Sequence, residues 1–186
     1  MSCAEHLSSV LRDATSLYFR AHAAHWNVMG DDFVQFHDLF GEIYEDVWGS
    51  LDPTAENIRK LDAFPPSSLK EIVAKAEITP GTGPVTDPQE SLKELIALND
   101  GVIKCLNEAF AAADKDNEQG IANFLADRID QHQKWRWQMK SSLEAEPASD
   151  DVPAKSPQKR NPSPRPKANP VLKKIAPMTA RPPKVS

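Results

Sequence analysis

Apolar residues recur every three or four positions through four long stretches of this chain. From Glu5 to about Val28 the stripe runs through Leu7, Val10, Leu11, Ala14, Leu17, Tyr18, Ala21 and His25. From Asp32 to Leu61 it runs through Phe33, Phe36, Phe40, Tyr44, Val47, Leu51, Ala55 and Ile58. Pro88 to Ala113 carries Leu92, Leu95, Ile96, Val102, Ile103, Leu106 and Phe110, and Asn117 to Leu143 carries Ile121, Phe124, Leu125, Ile129, His132, Trp135 and Met139. That period predicts four amphipathic helices, each with one face to bury. Gly30 stops the first helix, and Asp32 with Gln35 three residues on reads as a capping box for the second, which Pro65 and Pro66 close. A shorter helical piece, Ser68 to Ile78, precedes the turn-rich run Thr79-Pro80-Gly81-Thr82-Gly83-Pro84. Pro53 lies inside the second helix, where a proline costs about 3 kcal/mol and predicts a kink. One long crossover among short connections specifies an all-α four-helix bundle with a short helix in the crossover. No hairpin pattern, glycine-rich phosphate loop or nucleophile elbow competes.

The pattern stops at about residue 146. Residues 147 to 186 hold ten of the sixteen prolines, no aromatic residue, nine Lys or Arg and two acids, Asp150 and Asp151. Their net charge is +7, which leaves −12 for residues 1 to 146 out of the total of −5. Such a segment buries too little surface to offset its ordering entropy, so the division is a bundle over 1–146 and a disordered, polyproline-biased basic tail over 147–186. The tail's cations suit phosphates without regard to base sequence, making DNA the expected partner; solubilising or protein-docking roles stay open. No apolar run spans a bilayer, and Met1-Ser2-Cys3-Ala4-Glu5-His6 lacks signal-peptide character, so a cytoplasmic protein without membrane contact is expected. Cys3 and Cys105 form no metal or disulfide framework and read as a terminal thiol and a small core residue.

Candidate chemistry concentrates in the first two helices, at His25-Trp26-Asn27, His37, Asp52 and Glu56. On one continuous helix His37 and Asp52 would lie roughly 22 Å apart, so no single ion touches both. Asp52 and Glu56, at i and i+4, share a face and can chelate one hard cation. An antiparallel second copy, related by a two-fold axis, would bring His37 of one chain beside Asp52 and Glu56 of the other.

His25-Trp26-Asn27-Val28, Gly30, Phe33, His37-Asp38, Tyr44-Glu45-Asp46, Asp52, Ala55-Glu56 and Ile58-Arg59 resemble the Dps family, the mini-ferritins named for DNA protection during starvation. The resemblance covers roughly residues 5 to 145. It implies a ferritin-like bundle, a hollow twelve-subunit shell, and nucleoid-associated DNA protection. It also implies a ferroxidase that oxidises Fe(II), often with hydrogen peroxide, at sites shared between two-fold mates. Two irons per site, with no organic cofactor, would be held by His25 and His37 of one subunit and Asp52 and Glu56 of its mate. Many members place an aspartate one turn after the second histidine, where this chain has Gly41. Asp38 points about 100° away from His37 and Glu45 lies two turns on, so neither replaces that acid without a bent or water-bridged geometry. The alternative is a DNA-compacting or structural shell with a weakened iron site and a docking tail.

The remaining candidates read more blandly. Trp26 is either an electron donor to stray radicals or a core aromatic. His22 and His132 read as structural or surface residues, and Asp127 with Asp130 as a solvated face or an acidic pore at a three-fold axis. No histidine has a glutamate three residues before it, which argues against a metal site inside one bundle.

Overall fold

The computed structural model describes residues 1–143; the expected basic tail, 147–186, lies outside the described residues. Five helices and no strand occur among the described residues: α1 (Cys3–Asn27), α2 (Phe33–Lys60), α3 (Leu69–Lys75), α4 (Pro88–Lys115) and α5 (Gln119–Ser141). Helix α1 starts one turn earlier than its apolar stripe. Ser2 caps it, accepting from the Glu5 N–H at 3.3 Å while the Glu5 carboxylate accepts from the Ser2 N–H at 2.6 Å. The second capping box does not form. Asp32 has near-helical backbone angles, φ −94° and ψ 21°, and its side chain caps nothing. An N-cap needs extended geometry to turn its oxygen back onto the helix, and the chain leaving Gly30 at φ +117° does not provide it. Helix α2 runs unbroken through Pro53. The missing N–H leaves the Gly49 carbonyl without its usual donor, and Gly49 is exposed, so water can replace it.

Helix α1 packs on α2, α4 packs on α5, and the hairpins close through α1 against α4 and α2 against α5. The core is the set of inward stripes, with Leu7, Leu17, Phe40, Ile43, Leu92, Leu95, Leu106, Leu125 and Met139 all essentially inaccessible. On α2 the buried line is Phe36, Phe40, Ile43, Val47 and Ile58, whereas Phe33, expected within the stripe, is 41% exposed. Cys3, expected as a terminal thiol, is buried, as is Cys105.

The crossover is fastened to the bundle by polar groups. Arg20 of α1, nearly buried, donates to the Gly83 carbonyl at 2.8 Å and pairs with Glu94 at 2.6 Å. Glu94 accepts from the Gly81 N–H at 2.7 Å, and Asp13, wholly buried, accepts from the Glu77 N–H at 2.7 Å. Gly101 in α4 is the closest approach of this segment, since a Cβ there would overlap Ile78 Cγ2.

Candidate metal centre

His25 near the end of α1 and His37 in the first turns of α2 face each other across the hairpin. Their imidazoles stack, centroids 3.6 Å apart and planes inclined by 23°. Nδ1 of His25 lies 2.7 Å from the His37 carbonyl, and Nδ1 of His37 lies 2.9 Å from the His25 carbonyl. A carbonyl only accepts, so both Nδ1 atoms carry the proton. In the neutral ring, the form that binds metals, Nε2 then holds the lone pair. The reciprocal bonds thus fix tautomer and orientation in both rings and leave two imidazole donors available at one place.

Gly41 lies beside the His25 ring. A Cβ at this buried position would sit 3.4 Å from Cε1 and Nδ1 of His25, an ordinary van der Waals contact. Asp38 and Glu45 are both exposed, and Glu45 accepts from the Tyr44 hydroxyl at 3.4 Å. Asp46, the neighbouring acid, is committed elsewhere. It takes two bonds from Arg128, at 3.0 and 2.7 Å, and one from the Trp135 indole at 2.8 Å. Burial by itself raises the Asp46 pKa, but those donors outweigh it and hold the carboxyl below its ordinary range.

Asp52 and Glu56 stand exposed on the far half of α2, without a hydrogen bond or ion pair among the described residues. Along the unbroken helix they remain roughly 22 Å from His37, so the chain by itself brings the histidines together and the carboxylates together, but not the two pairs.

The surface around the histidines is aromatic. Ring contacts lead from Phe33 to His37, from His25 to Tyr44, and from Tyr44 through Tyr18 to Trp48. His22 stacks on Tyr44, centroids 3.9 Å apart, and touches Trp26. Burial, then the neighbouring His25, pulls the His22 pKa below the ordinary histidine value. Trp26 is 58% exposed and Trp48 60%, so in the single chain Trp26 is not a core aromatic.

Two polar clusters were not legible in the sequence. His132 is buried between helices, with Nδ1 2.7 Å from the Asn99 side-chain oxygen of α4 and Nε2 3.4 Å from Arg128. Burial, reinforced by Arg128, pushes its pKa down to about 3. The second cluster is Asp13, Glu77 and Cys105, whose potential ligand atoms lie within 4.8 Å of one another. Here Asp13 already accepts from the Glu77 backbone and from the Cys105 thiol at 3.2 Å, and burial together with that carboxylate pushes the thiol pKa up. A protonated thiol is a poor ligand, so this cluster reads as a fastening of the crossover. Asp127 and Asp130 are exposed on α5.

The topology is that of a ferritin-like bundle, and the ferritin-like domain family model matches residues 4–147. The DNA protection during starvation protein of Brevibacillus brevis is 31% identical over 69% of this chain and 85% of its own length. Its counterpart in Helicobacter pylori is 27% identical over 77% of this chain and 99% of its own. The Dps protein of Vibrio cholerae, a member of a broad superfamily of ferritin-like diiron-carboxylate proteins, superposes with a TM-score of 0.73. It is 25% identical and covers 76% of this chain and 89% of its own. The chain belongs to the Dps family of ferritin-like proteins, with that family's general association with iron storage and DNA protection. No helix among the described residues is long and apolar enough to cross a membrane.

Proposed function

We propose that this protein oxidises Fe(II) at a site shared by two subunits, with hydrogen peroxide as the oxidant, and stores the ferric product inside a twelve-subunit shell. The observation that carries the reading is the reciprocal Nδ1–carbonyl pairing of His25 and His37, which leaves Nε2 as the lone-pair donor in both half-buried rings. The partner's Asp52 and Glu56 complete the donor set. Imidazole with carboxylate suits Fe(II), and the carboxylates hold the harder Fe(III) after oxidation. The aromatic surface from Phe33 to Trp48 supports the pairing, because exposed apolar rings of this extent mark a face that another protein surface covers.

Two Fe(II) ions give two electrons to one peroxide: its O–O bond breaks, two protons are taken up, and two waters form beside two Fe(III). Pairing the electrons avoids hydroxyl radical, which one-electron reduction would release near DNA. The basic segment 147–186 would bind duplex DNA through its nine cations. One tail binds weakly, and twelve on a shell would act multivalently against the repulsion between DNA and the acidic body.

The test is anaerobic addition of Fe(II) followed by a half-equivalent of peroxide, with ferric absorbance followed in the parent and in a His37→Ala, Asp52→Ala double variant. Rapid oxidation by the parent alone supports the reading. Equal, slow oxidation by both would favour the second reading, a DNA-compacting shell whose iron site is weakened because Gly41 supplies no donor.

A further inference from the structure

Helices α1 and α2 run antiparallel, so stepping back from His25 along α1 corresponds to stepping forward from His37 along α2. The residue one turn back on α1 is His22, which meets Tyr44 on α2, while Gly41 faces His25. Gly41, facing His25, brings no donor. His22 does, and its imidazole is held in place: Tyr44 stacks on it at 3.9 Å with planes 17° apart, and Trp26 packs against it at 4.1 Å. Its Nδ1 faces the Tyr18 hydroxyl at 3.4 Å, while Nε2 has no partner among the described residues.

We propose that His22 is a third imidazole ligand of the shared iron site and serves the second of its two ions; this rests on the site described under the proposed function. Imidazole binds with a metal–nitrogen distance of about 2.1 Å, which places a ring centroid roughly 3 Å from its ion. His22 and His25 are 6.2 Å apart, a separation suited to ligands of two adjacent ions. The donor balance points the same way. Two imidazoles and two carboxylates are few for two ions that each take four to six donors, and His22, one turn from His25, adds a third nitrogen next to the turn where Gly41 brings none.

The experiment is an anaerobic Co(II) titration of the intact protein, counting bound ions by d–d absorption, with His22→Phe as the variant. Phenylalanine keeps the ring between Tyr44 and Trp26 and removes only the nitrogens. The expected result is two Co(II) per shared site in the parent and one in His22→Phe, with the spectrum of the remaining ion lost on adding His37→Ala. Two ions per site in both proteins, with identical spectra, would overturn the role of His22 and leave the shared site standing. A parent that binds no Co(II), or binds it undiminished in His37→Ala, Asp52→Ala, would overturn the shared site and this inference with it.

Discussion

If the site takes histidines from one subunit and carboxylates from another, two inactive variants must restore each other when mixed. His37→Ala removes a nitrogen donor and Asp52→Ala a carboxylate, and each homogeneous protein has every site damaged. In a dimer of one His37→Ala and one Asp52→Ala subunit, the first site joins the intact His37 of the second variant to the intact Asp52 of the first. The other site then carries both losses. Random assembly of equal amounts makes half of the dimers mixed, and half of their sites intact, so about one quarter of the parent's sites return. The double variant mixed with parent also retains about one quarter, but all of it in parent–parent dimers, since every mixed dimer has both sites damaged. The magnitude follows from the unbroken α2, which holds His37 and Asp52 roughly 22 Å apart within one chain. The assay is co-expression of differently tagged variants, purification of shells carrying both tags, and the initial rate of Fe(II) oxidation by peroxide. A rate near one quarter of the parent's agrees with the sharing. A rate no higher than the separate variants give would refute it.

Three further outcomes follow from the structure. His132 is held neutral, with a folded-state pKa of about 3, while in the unfolded chain it takes up a proton near the ordinary value of about 6.5. Its folded pKa is the depressed one, so stability is full above the unfolded pKa and drains as pH falls from about 6.5 toward 3, by roughly one kcal/mol per pH unit. Urea midpoints should fall over that window, and a midpoint unchanged between pH 6.5 and 4 would count against the buried network. Gly101→Ala gains about 1 kcal/mol of helix propensity but overlaps Ile78, an overpacking cost of about 1–3 kcal/mol, so a net loss is expected. Adding Ile78→Ala should relieve the overlap in a double-mutant cycle, and a Gly101→Ala protein melting at or above the parent would contradict it. Deleting 147–186 should abolish the gel shift of duplex DNA that the full protein produces at low salt and loses steeply as salt rises. Equal retardation by the truncated protein would remove the tail from that role.

The helical period identified the helices well because each buries one face, and periodicity records which residues share a face. It does not record what covers that face. Phe33 followed the apolar pattern yet is exposed in the single chain, as is Trp26, whose core reading rested on residue type, and a surface that meets a second copy accounts for both. Helix ends depended on backbone geometry: Ser2 capped α1 because it is extended, whereas Asp32 is not. His25, His37, Asp52 and Glu56 stood out through their residue types and spacing. The locking of the two rings did not, because each Nδ1 partner is a backbone carbonyl on the other helix, placed only by the packing of α1 on α2. His132 looked unpartnered for the same reason. Its Asn99 comes from α4, and the Asp46 that anchors its neighbour Arg128 comes from α2.

The central claim concerns where iron sits, and the most direct measurement is an iron-edge anomalous difference map from crystals of the assembled protein soaked anaerobically with Fe(II). The account predicts a peak within bonding distance of Nε2 of His25 and His37 and of the carboxylates of Asp52 and Glu56 from the two-fold mate. A map without a peak there, or with its strongest peak at Asp13, Glu77 and Cys105, would contradict it.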